Sequence, residues 1–203
     1  MISFKPDTEK SMYKKTQIIL VALSLTLPFN VWGKTTQDLS KEESTKLNSE
    51  LKRINFHGAM EKLAGHADLN NQDLKDVIIM PRKEEDKLSI VSIKSADLKK
   101  NFKAGQYLET KSLGSFTLAS DGQFDKFEKP IVEDFDGDGK TDIGNLVSGK
   151  NLGTGKPMFV VYVLLQDTDN TFTKVPVITL DKKPASDTDV SEAVKLHLGK
   201  SVK

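Results

Sequence analysis

Two stretches of this sequence run through the same order of loop, strand, turn and strand, and that duplication constrains the fold more than any other feature. ADLNNQDLKDVIIM, residues 67–80, leads into LSIVSIKSADLKKNFK, residues 88–103. In the same way EDFDGDGKTDIGNL, residues 133–146, leads into FVVYVLLQDTDNTFTK, residues 159–174. A Gly/Lys-rich turn over residues 148–157 absorbs the difference in spacing. Two copies of loop, strand, turn and strand are the simplest description of this stretch.

The strand-like runs are short. Residues 77–80, 88–93 and 106–108 are separated by charged turns, and residues 159–165 are apolar throughout, as expected of a buried central strand. Pro176 lacks an amide hydrogen and places residues 175–180 at a sheet edge. Ahead of the strands, Ser40 with Glu43 makes a capping box, and Leu47, Leu51 and Ile54 recur at helical spacing. Residues 40–54 are therefore expected as a helix packed on the domain. Residues 189–199 fit a helix or a strand equally.

A chain of 203 residues is long enough for one domain with a real core. Its net charge of +1 leaves no broad basic footprint for nucleic acid. At the N-terminus, Lys14 and Lys15 precede a ten-residue apolar core, residues 18–27, then Pro28, with small enough residues at Val31 and Gly33. This is the pattern of a secretory signal peptide cleaved after Gly33. Its apolar core is too short to span a hydrocarbon layer of ~30 Å. Met12 is a natural start, so residues 1–11 are expected to be an over-extended N-terminus. The chain has no cysteine, hence no lipid anchor and no disulfides, although it is expected in a secreted or periplasmic setting. The expected organisation is a signal peptide over 1–33, an N-terminal helical segment over 34–60, a β domain over 61–183 and a C-terminal tail over 184–203.

The second loop carries the chemistry. Counting from Asp134, carboxylates stand at positions one, three, five and nine: Asp134, Asp136, Asp138 and Asp142. Alternate residues of a tight turn face one centre, and hard oxygen ligands suit Ca²⁺. Gly139, at six, permits the reversal that turns the carbonyl of Lys140, at seven, toward the ion. Two unit charges about 5 Å apart at an effective dielectric of about 20 repel by about 3 kcal/mol, so a divalent cation has a physical reason to be there. An EF-hand is a poor description: Thr141 stands at eight and Asn145 at twelve, where that motif has an aliphatic residue and a bidentate Glu. The first loop is a second, weaker candidate with Asp68, Asn70 and Asp76 at one, three and nine. Gln72 replaces the acid at five and Asp73 the glycine at six.

DFDGDGKTDI, with the weaker DLNNQDLKDVII upstream, resembles the FG-GAP/VCBS-type repeats. The resemblance covers residues 67–180 and is strong for the second loop. It implies a mainly β fold of propeller-blade-like antiparallel strands. Some two repeats are present, an incomplete propeller, with the helix at 40–54 as a cap. It also implies Asp134, Asp136, Asp138, Lys140 and Asp142 as calcium ligands.

No catalytic constellation accompanies the loop. The three histidines, His57, His66 and His197, form no H-E-x-x-H, and no G-x-S-x-G is present. His66 adjoins the first loop, where a capping or surface role is expected. GNLVSGKN, residues 144–151, approaches a phosphate-binding loop but ends in Asn and is expected to continue into a hairpin. The expected function is an exported, non-catalytic calcium-binding module for adhesion or for recognition of protein or glycan. It would have no nucleic-acid partner and no membrane anchor, as a monomer or small homo-oligomer. The alternative is an exported enzyme or accessory domain whose Ca²⁺ is purely structural.

Overall fold

Period-two alternation of apolar side chains builds two antiparallel sheets, and a helix lies on the outer face of each. The computed structural model describes residues 34–69, 76–167 and 171–201. The signal peptide expected over residues 1–33 lies outside these, as do Asn70, Gln72 and Asp73 of the first loop. In chain order the elements begin with β1 (Lys34–Thr35), β2 (Gln37–Asp38), α1 (Lys41–Arg53), a 3-10 turn (Glu61–Leu63) and β3 (Gly65–Ala67). There follow β4 (Val77–Glu84), β5 (Lys87–Lys94), α2 (Ser95–Leu98), β6 (Lys111–Thr117), β7 (Gly122–Phe127) and β8 (Ile131–Glu133). The last are β9 (Asp142–Asn151), β10 (Pro157–Gln166), β11 (Phe172–Lys174), β12 (Ile178–Leu180) and α3 (Asp187–Ser201).

The first sheet has the order β2-β3-β4-β5-β6; the second has β1-β8-β9-β10-β11, with β7 also on β9 and β12 also on β10. The duplication is visible in the pairing. A short strand leads through an Asp-containing loop into a long hairpin, β3 into β4–β5 and β8 into β9–β10. The sheets meet face to face. Val77, Ile79, Leu88 and Ile90 of the first share one apolar layer with Ile143, Val147, Val160, Tyr162 and Leu164 of the second. Phe116 and Tyr162 meet in this layer with ring centroids 5.1 Å apart.

Side chains of opposite parity face outward. Ile78, Met80, Val91 and Ile93 receive Leu47 and Leu51 of α1, while Val161 and Val163 receive Val190, Val194 and Leu198 of α3. This explains the uninterrupted apolar run in β10: a strand covered on both faces has no side left for polar residues. The helix expected over residues 40–54 is α1, with Ser40 as its N-cap and the capping box with Glu43 formed. Residues 189–199, which fitted either pattern, are helical. No helix of the described residues is long and apolar enough to cross a membrane.

Two strand expectations need correction. Residues 106–108 form no strand; the chain turns there, with the Gln106 amide donating to the Lys103 carbonyl at 3.0 Å, and Leu108 alone dips into the layer beneath α1. The strand lies further on, in β6, whose pairing with β5 shifts register between Ile90 and Val91 and so breaks the period-two signal. Of residues 175–180, only Ile178–Leu180 pair, on β10, and Pro176 sits in the connection before them.

One short segment belongs to both sheets. β1 pairs with β8 of the second sheet, and β2 pairs with β3 of the first. Thr36 lies buried between them, so close to Gly65 that a Cβ there would approach the Thr36 Cβ to 2.5 Å.

Candidate metal centre

The second loop joins β8 to β9, and its ends are fixed by the pairs Glu133↔Asp142 and Val132↔Ile143. Within it, Gly137 and Gly139 adopt φ of +83° and +85°, the left-handed region that other residues resist. Asp134 accepts both glycine amides, from Gly137 at 2.7 Å and from Gly139 at 2.9 Å. Asp136 accepts the Asp138 amide at 3.1 Å, and Asp138 that of Lys140 at 2.9 Å. These are local Asx turns, and they fold the segment so that its acids converge.

One carboxylate oxygen from each of Asp134, Asp136 and Asp138 lies within 4.8 Å of the others. Oxygens on one Ca²⁺ at about 2.3–2.6 Å stand up to about 5 Å apart across the ion, so the spread matches a shared cation. Each carboxylate keeps lone pairs beyond those used by the amides. Partial desolvation within the loop, with the charges of Asp138 and Asp134, holds the Asp136 carboxyl above its usual range. Asp138 is held below it by hydrogen bonds from Lys140, whose ammonium is raised in turn by Asp138. The side chain of Lys140 ion-pairs with Asp138.

Asp142 stands apart from the three converging acids. It is 0% exposed, and its two oxygens accept the backbone amides of Phe135 and Gln166, each at 2.8 Å. Burial pushes its carboxyl up to about 6 against the pull of those two bonds. Asp142 thus fastens the loop to the end of β10. Gln166 completes the clasp by accepting the Thr141 amide on Oε1 at 3.3 Å. Spacing within the loop gave no sign of Gln166. Its signal lies in the hairpin register, since pairing continued past Ile143↔Leu164 sets residue 166 opposite residue 141. Asn145, at position twelve, faces the inner layer and donates from Nδ2 to the Glu128 carbonyl at 2.8 Å.

The first loop differs where it is described. Asp76, its ninth residue, has φ +54° and a side chain 69% exposed, in contrast to buried Asp142. Asp68 and Asp76 do not join the acids of the second loop. Nearby, His66 on β3 lies between Glu43 (Nε2 to Oε1, 3.2 Å) and Ser95 (Nδ1 to Oγ, 3.2 Å). Ser95 is 3% exposed, and Glu43 already serves the capping box. The arrangement ties α1, β3 and α2 together. Residues 144–151, the near-match to a phosphate-binding loop, lie inside β9 and open no helix.

No protein-family model, curated protein or solved structure matches this chain.

Proposed function

We propose that this chain is an exported, non-catalytic calcium-binding module of the FG-GAP/VCBS type, in which Ca²⁺ orders the loop between β8 and β9. The reading rests on the convergence of Asp134, Asp136 and Asp138 oxygens within 4.8 Å, in a loop whose two glycines take the left-handed turns that convergence needs. The Lys140 carbonyl is the further ligand position, while Asp142, whose two oxygens hold the Phe135 and Gln166 amides, anchors the loop from outside the converging set. The ion is structural, and the ordered surface serves adhesion or recognition of a protein or glycan. Titration calorimetry on the full chain tests this. One calcium per chain is expected, with a dissociation constant of about 10⁻⁴ to 10⁻³ M if it behaves as other extracellular calcium modules do. No heat of binding at millimolar calcium would reduce the loop to an acidic turn.

A further inference from the structure

Phe135 stands between Asp134 and Asp136 in sequence, yet its ring faces away from them. It is 3% exposed and packs among Ile131, Val161 and Val163 of the second sheet and Val190, Val194 and Leu198 of α3. Those three helix residues recur at every fourth position, so they are the stripe by which α3 lies on the sheet. The ring also covers Gly144, where a Cβ would come within 3.1 Å of Phe135 Cζ. A second tie runs beside it. Glu133, immediately before Asp134, has a side chain only 5% exposed and ion-pairs with Lys195 of α3. Its Oε2 has no hydrogen-bond partner among the described residues, so Lys195 is the group that compensates this buried carboxylate.

We propose that cation binding in the loop and docking of α3 are one coupled event, with Phe135 and Glu133 as the positioning residues that connect them; this rests on the calcium reading above. The backbone that carries Asp134 and Asp136 to the ion also carries Phe135 into the slot under α3. Mutual repulsion of the acids, left without a cation, spreads this backbone and draws the ring from its slot. The helix α3, which docks through this apolar stripe and the Lys195–Glu133 pair, can then open without unfolding either sheet. A cation reverses the sequence, and linkage makes the effect reciprocal: docked α3 favours the closed loop. The open form exposes the apolar outer face of β10, at Val161 and Val163.

Hydrogen exchange on the full chain tests the coupling. It is measured in chelator and at calcium 100 times the dissociation constant that calorimetry gives for each protein. Linkage sets a ceiling of about 100-fold at that concentration, and the α3 amides of Val190 and Val194 are expected to slow by about tenfold or more. Amides of β4 and β5, which do not open with α3, are expected to change by less than about twofold. Phe135→Ala is expected to bind calcium while its α3 slowing falls below about twofold. Lys195→Gln carries the same comparison if Phe135→Ala does not fold. Calcium bound with α3 exchange unchanged overturns the coupling alone, as does equal slowing in every element. No calcium binding at all overturns the calcium reading and the coupling with it.

Discussion

Lys140 turns its ammonium back onto the carboxylate of Asp138, two residues earlier in the same loop. The lysine thereby competes with any cation for a carboxylate the cation needs, while its own carbonyl is a ligand position that any side chain can supply. Lys140→Ala is expected to tighten calcium binding by roughly two- to fivefold, because exposed ion pairs are weak competitors. Calorimetry of the two proteins at equal ionic strength decides this; weaker binding by the variant would give Lys140 a supporting role instead.

Calcium that binds the folded loop and not the unfolded chain raises stability by about 2.7 kcal/mol at 100 times the dissociation constant. For a chain of this size that corresponds to a rise of roughly 5–10 °C in Tm. Asp136→Ala is expected to abolish the rise. Asp138→Asn, which keeps an oxygen and removes a charge, is expected to weaken the calcium response with little loss of stability in chelator. Thermal melts of the three proteins in both buffers provide the check.

Asp142 makes a different case. The Phe135 and Gln166 amides approach different oxygens of Asp142, so in Asp142→Asn the side-chain nitrogen would face one of those N–H groups. A buried donor left without an acceptor costs about 1–3 kcal/mol. Asp142→Asn is therefore expected to lower Tm in chelator as well as in calcium. A chelator Tm equal to wild type would contradict the clasp.

The start of α1 carries a pH-dependent contribution. Hydrogen bonds from the Ser40 amide and hydroxyl, then the neighbouring His66, hold the Glu43 carboxyl below its usual value of 4.5. A lowered carboxyl pKa contributes stability that is fully present above the unfolded value and is lost as pH falls through the folded one. The stability gap between wild type and Glu43→Gln is thus expected to be constant above about pH 5 and to narrow as pH falls below the usual carboxyl range. Ser40→Ala, which removes the cap itself, is expected to cost about 1 kcal/mol at neutral pH. Denaturant melts across that range measure both.

What the sequence made legible was what a short window contains. The Ser40–Glu43 box and the recurring leucines mark α1, the apolar run marks β10, and the spacing of Asp134, Asp136 and Asp138 marks the loop. What stayed hidden depends on residues brought together from afar. Gln166 reaches the loop only through the β9–β10 register, and Phe135 and Glu133 meet Val190, Val194 and Lys195 only after the chain has passed through four further strands. β6 and β7 escaped because register shifts, at Ile90/Val91 and at Phe124/Lys126, blur their alternation. The C-terminal pattern stayed ambiguous because Leu196, 62% exposed, interrupts the stripe of Val190, Val194 and Leu198. Asp76 could not be told from Asp142 by position alone, since its left-handed backbone turns the same residue type outward.

The five residues from Lys34 to Asp38 give the domain a common selvedge. β8 and β3 each have one flank bonded to a long hairpin strand, and on the other they meet, among the described residues, only this segment. An unpaired flank is a template for strands from other chains, and soluble β proteins conceal such flanks. Here one strip of backbone, crossing over at Thr36, conceals two. A chain shortened past Asp38 would therefore lose little core and yet bare a sticky border on both sheets at once, so its first fault would be self-association between molecules, with the interior of each still intact.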